Sequence, residues 1–192
     1  MKTAVLISAI AIGGHLLTYN LSSTKESPVI TTYKSSKSKK SSSMPVSPIS
    51  IVVDKSQYEL YVYDAKGWYA TYPVVFGNKS LDDKKVEGDR KTPEGTFHIT
   101  SKRYHNKWCR FMALDFPTRE DILKFQERKR RGEIPANASL GGGIGIHGVW
   151  PHEDFVIDRY NNWTNGCISL KNEDIEELYN YVPVGTPITI RK

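Results

Sequence analysis

From Ile49 onward the chain carries three successive segments, ISIVVD, YELYVYD and WYATYPVVFG, that are dense in β-branched and aromatic residues and broken by turn formers. That run constrains the fold more than any other feature. Tyr58, Leu60 and Val62 alternate with Glu59, Tyr61 and Tyr63, the period of a strand with two unlike faces. The Ala65–Gly67 step closes a hairpin, and a polar loop, LDDKKVEGDRKTPEGTF, follows. Thr96 to Lys102, Phe111 to Phe116, IGIHG and TPITIRK again read as extended. Two helices interrupt them. Thr118 can cap one, with Asp121 at its third position and Gly132 as its stop. Asn172 can cap EDIEELYNYV, which ends before Pro183. Many short strands with two helices predict a mainly β fold, a sandwich or curled sheet with two peripheral helices.

The 48 residues before this domain have another character. Thr3 to Leu17, TAVLISAIAIGGHLL, is an apolar run of 15 residues behind one Lys, the outline of an export signal or short membrane anchor over residues 1–21. Residues 22–48 are rich in Ser, Lys, Thr and Pro and nearly empty of large apolar groups, so they read as a disordered tether. The tail also holds most of the formal charge of +6, leaving about one net positive charge for everything after residue 48. A nucleic-acid partner would need a basic face on the domain itself, and none is expected.

Two cysteines are present, Cys109 and Cys167, 58 positions apart. A domain of this size is stable without a staple, and a disulfide is not expected. Cys109, beside Trp108 and Phe111, reads as a packed thiol. Cys167 follows the turn Thr164-Asn165-Gly166, a setting that suits a nucleophile better than a core position. A thiol with an ordinary pKa of about 8.5 is little ionised at neutral pH, so it needs an imidazole within reach. His147, at the end of IGIHG, is the candidate. Gly166 lets substrate approach and leaves backbone N–H groups for an oxyanion.

GIHGVW at residues 145–150 and TNGCISL at residues 164–170 resemble the signature of the L,D-transpeptidase (YkuD-like) catalytic domain, in which a His-Gly precedes a Ser/Thr-x-Gly-Cys turn. IVVDKSQYELYVYDAKGWYATYPVVFG resembles that family's opening strands, and GDRKTPEGTFHI its Thr-Pro-x-Gly-x-Phe segment. The stretch from Cys109 through LDFP to GEIPA is similar to a helix-bearing insert of one subgroup.

The resemblance implies a fold of that type over residues 49–192 and a cofactor-free, metal-free acyl transfer on peptidoglycan stem peptides. It makes Cys167 the nucleophile, His147 the base and the Gly148 carbonyl the orienter of the imidazole. The Gly166 and Cys167 amides become the oxyanion donors. Trp163, Thr164, Asn165, Ser169 and Arg110 are candidates for substrate contact. Two departures stand out: Asn165 replaces the commoner His, and Ser169 the commoner Arg, so the charge could come from Arg110, Arg159 or Lys171 instead. The implied setting is the cell envelope, periplasmic or anchored in the inner membrane through residues 3–17. The acceptor stays open among a second stem peptide, water (an L,D-carboxypeptidase) and an envelope lipoprotein. A non-catalytic wall-binding module on the same fold is the rival from another class.

Overall fold

The computed structural model describes residues 37–192. The expected export segment and most of the expected tether lie outside the described residues. The sheet begins ahead of Ile49, inside the stretch read as a tether: β1 (Lys39–Lys40) pairs antiparallel with β4 (Gly67–Pro73). Ser38 Oγ donates to Asp174, and Lys40 Nζ lies 2.9 Å from Glu177.

The other strands are β2 (Ser50–Asp54), β3 (Glu59–Asp64), β5 (Gly95–His105), β6 (Cys109–Leu114), β7 (Gly145–His147), β8 (Ile168–Ser169) and β9 (Pro187–Arg191). They follow the order β1-β4-β3-β2-β9-β5-β6-β7-β8. The long strand β5 links the two halves, pairing through Gly95–His98 with β9 and through Ile99–His105 with β6, the latter with a register shift between Ile99 and Ser101. Val75, just past β4, exchanges backbone hydrogen bonds of 3.0 and 2.9 Å with Ser169 in β8, so the curled sheet folds back on itself.

The alternation expected from the sequence sets the core. Ile51 and Val53, Leu60 and Val62, and Ile188 and Ile190 point from β2, β3 and β9 into one buried cluster. Each such side chain contributes about 1.5–3 kcal/mol by leaving water. β7 is buried at all three positions, as a strand covered on both faces must be.

Among the described residues three helices are present, where the sequence pattern predicts two. α1 (Arg119–Arg130) starts at Thr118 with the expected capping box, Thr118 and Asp121 each accepting from the other's backbone N–H. α2 (Phe155–Asp158) is a single turn, too short to leave a periodic pattern. α3 (Asn172–Tyr181) is capped at Lys171 without a side-chain bond, so Asn172 is its first residue and not its cap. The Asn172 Oδ1 instead accepts from Val149 N at 3.1 Å, beside the end of β7. Ile175, Leu178 and Val182 bury one face of α3, and Lys102 Nζ donates to the Tyr179 and Val182 carbonyls at its C-terminal end, where a cation suits the helix dipole.

Candidate active site

The parallel pair β7–β8 aligns Ile146 with Ile168 and His147 with Ser169, which puts Cys167, just before β8, level with Gly145 and two residues from His147 along the same face. His147 and Cys167 line a pocket of about 230 Å³ together with Trp108, Phe111, Gly143, Trp163, Thr164 and Asn165. The sequence-derived residues Trp163, Thr164 and Asn165 therefore belong to the same cleft as the thiol and the imidazole.

His147 is 2% exposed. Its Nδ1 lies 2.7 Å from the Gly148 carbonyl, which can only accept, so Nδ1 carries the proton and Nε2 is left with a free lone pair. Ser169, 0% exposed, donates from Oγ to the same Gly148 carbonyl at 3.1 Å. Ser169, expected to contact substrate, is instead sealed beneath His147 and steadies the carbonyl to which the imidazole bonds. Around the ring, Trp108 and Phe111 stack and Trp163 meets it edge-on, with the Trp163 centroid 5.4 Å away. This apolar cage pushes the imidazole down to about 4 by burial, against the opposing bond to Gly148 and helped slightly by His105.

The thiol is governed by the same force. Burial pushes Cys167 up, and a backbone hydrogen bond from Gly145 and the charge of Lys84 offset only part of it. His147 and Cys167 therefore rest as neutral imidazole and neutral thiol, because the dry cleft penalises both charges of a thiolate–imidazolium pair. Cys167 Sγ also lies 3.6 Å from the Gly143 carbonyl.

The turn that presents Cys167 is held by Thr164, whose Oγ1 accepts from Gly166 N at 3.1 Å and donates to the Cys167 carbonyl at 2.8 Å. The Gly166 amide is spent there, which corrects its expected role in an oxyanion hole and leaves the Cys167 amide as the remaining donor of that pair. Gly166 has φ +121°, and a side chain on it would meet the Lys91 carbonyl at 2.7 Å. The turn is thus seated backbone to backbone on the 80–95 loop, which Arg90 Nε also clasps by donating to the Thr164 carbonyl.

The expected cations lie elsewhere. Arg110 pairs with Glu176 at 2.5 Å and sits over the Tyr104 ring, Lys171 pairs with Asp158, and Arg159 covers Phe155. None of them lines the pocket. Asn162 serves the loop between His147 and Cys167, accepting from Phe76 N and donating to Asn78 O and Tyr58 Oη. Both cysteines are free, and Cys109 packs against the core. Sequence reasoning missed Trp108 and Phe111 as parts of the site. Their signal was the β5–β6 hairpin, which aligns Phe111 with His147 only once β6 and β7 are paired.

A family model described as the L,D-transpeptidase catalytic domain (YkuD) matches residues 48–190. "Putative L,D-transpeptidase YqjB" of Bacillus subtilis (strain 168) is 29% identical over 137 residues, 62% of this chain and 70% of that protein. "Probable L,D-transpeptidase YcfS" of Escherichia coli (strain K12) is 25% identical over 148 residues, 73% of this chain but 43% of that protein. The helical cell shape determining protein Pgp2 from Campylobacter jejuni shares the fold, with a TM-score of 0.55 and 21% identity over 82% of this chain and 51% of that one. An L,D-transpeptidase from Mycobacterium smegmatis gives 0.50 and 17%, over 75% of this chain and 58% of that one. The chain spans about half the length of these solved structures.

Proposed function

Because this chain belongs to the L,D-transpeptidase catalytic domain family, we propose that it is a cysteine acyltransferase acting on peptidoglycan stem peptides, with Cys167 as nucleophile and His147 as base. The observation that carries this reading is the shared pocket: the thiol and an imidazole with Nε2 unprotonated line one small cleft.

Cys167 Sγ attacks the carbonyl carbon of the third stem residue as its proton passes to Nε2 of His147. Since both groups start neutral, the proton moves with the attack rather than before it. The Cys167 amide offers a hydrogen bond to the developing oxyanion. The C–N bond to the terminal D-alanine breaks, and the imidazolium protonates the departing amine, leaving a thioester. An acceptor amine then yields a proton to Nε2, attacks the thioester carbonyl, and releases Cys167, which regains its proton. The new amide is a cross-link when the acceptor belongs to a second stem peptide. Residues 3–17 would deliver the domain to the envelope, where this substrate lies.

Intact-mass measurement after incubation with a carbapenem tests the nucleophile. The wild-type chain should gain one covalent adduct that Cys167→Ala lacks; an unmodified wild-type chain would favour a wall-binding module without turnover.

A further inference from the structure

With Ser169 sealed in the interior, and with Arg110, Arg159 and Lys171 outside the pocket, the cleft needs another source of positive charge to hold an anionic peptide. The strand register supplies one. Arg103 stands opposite Phe111, Phe111 opposite His147, and His147 beside Ser169, a single row across β5, β6, β7 and β8. Residues directly opposite share a sheet face, so Arg103 lies on the same face as the base, two strands and about 10 Å away. Its guanidinium sits 4.7 Å over the Phe111 ring, which itself lines the catalytic pocket.

A second depression of about 510 Å³ opens at the hairpin tip, lined by Arg103, Tyr104, His105, Asn106, Lys107 and Trp108. Trp108 lines both, so a single indole separates the hairpin depression from the catalytic pocket. His105 stacks on the far face of this wall at 4.3 Å, and its Nδ1 accepts from Lys107 N and Trp108 N, which holds the tip in shape. Lys107 Nζ reaches over Trp150 at 5.3 Å. Among the described residues neither Arg103 nor Lys107 has an ion-pair partner; their recorded contacts are the aromatic faces beneath them. Two unneutralised cations beside the wall of the pocket, with a chain-sized depression between them, suit an anion more than an apolar group.

We propose that Arg103 and Lys107 form a carboxylate-binding subsite that receives a carboxylate of the peptide lying across Trp108, in place of the charge that Ser169 does not carry. This rests on the stem-peptide reading of the catalytic pocket. The Arg103 fork grips the carboxylate, the Phe111 ring keeps the guanidinium in place, and Lys107 adds a second, more mobile charge.

Binding to the full chain carrying Cys167→Ala, where no turnover consumes the ligand, tests it. The probes are a stem tetrapeptide with free carboxylates, its fully amidated form, and forms amidated only at the terminal alanine or only at an inner residue. Full amidation should weaken binding about tenfold, a loss that Arg103→Gln with Lys107→Gln erases and Arg103→Lys largely keeps. The singly amidated peptides tell which carboxylate is held. An amidation effect equal in both backgrounds, or no effect in either, overturns the subsite. The carbapenem experiment reports separately on the nucleophile: a chain that is acylated but indifferent to amidation refutes the subsite alone, whereas one that selects carboxylates but is never acylated refutes the enzyme and leaves the subsite standing.

Discussion

The Trp108 indole lies against the His147 imidazole with 4.6 Å between ring centres and 25° between planes. Trp108 is at the β5–β6 turn and His147 closes β7, and the contact is backed by the chain itself, since Gly148 N donates to the Trp108 carbonyl at 3.0 Å. The indole covers one face of the His147 ring, which is 2% exposed, and holds its tilt.

Trp108→Ala should therefore slow carbapenem acylation by about tenfold, the scale at which loss of orientation costs about 1.4 kcal/mol. It should also let the His147 pKa rise from about 4 toward its ordinary 6.5, because solvent reaches the ring. Trp108→Phe keeps a stacking face and should lose much less. Acylation rates by mass spectrometry and imidazole titration by NMR check both effects; unchanged titration in Trp108→Ala would contradict the wall.

Two buried groups make stability depend on pH with opposite signs. His147 has a folded pKa depressed by burial, so its contribution is complete above its unfolded value of 6.5 and is lost as pH falls toward about 4, at most about 3 kcal/mol. Asp174 is raised by burial to about 6, so its ionisation destabilises the fold as pH rises from 3.8 to 6 and is relieved on acidification. Between pH 6 and 4 the two offset each other. Asp174→Asn removes one, and its urea midpoint should fall more steeply across that window than the wild type's.

Gly166→Ala should destabilise the chain by more than about 1 kcal/mol, the cost of a side chain in the left-handed region alone, before the clash with the Lys91 carbonyl is added. The greater effect should be on chemistry. Moving the turn displaces Cys167 from the pocket, and alkylation by iodoacetamide should separate the two: a folded variant whose thiol reacts at the wild-type rate would show that the seat on the 80–95 loop is irrelevant.

Thr164→Val leaves the Gly166 N–H and the Cys167 carbonyl without their shared partner, at a cost of about 1–3 kcal/mol. Ser169→Ala removes one of two donors to the Gly148 carbonyl and should cost about 1 kcal/mol. Urea melts give both values. Acylation should slow several-fold in Thr164→Val, which loosens the turn that carries Cys167, and less in Ser169→Ala, where His147 keeps its own bond to the carbonyl.

The amino-acid order by itself determined the strands from Ile49 onward, the α1 capping box at Thr118 and the pairing of a His-Gly step with an Asn-Gly-Cys turn, because periods of two, cap chemistry and turn residues act over a few positions. The resemblance to the L,D-transpeptidase family pointed to the Gly148 carbonyl, which lies one residue from the imidazole and 2.7 Å from its Nδ1. Only the tertiary structure decided that Asn172 reaches back to Val149 instead of capping its helix, and that Ser169 is interior while Arg103 lies over Phe111. Those outcomes depend on register between strands far apart in the chain, and a slip of one residue would send each side chain to the other face. The protonation of His147 and Cys167 was decided there too, since desolvation is a property of the packed surroundings and not of the residue type.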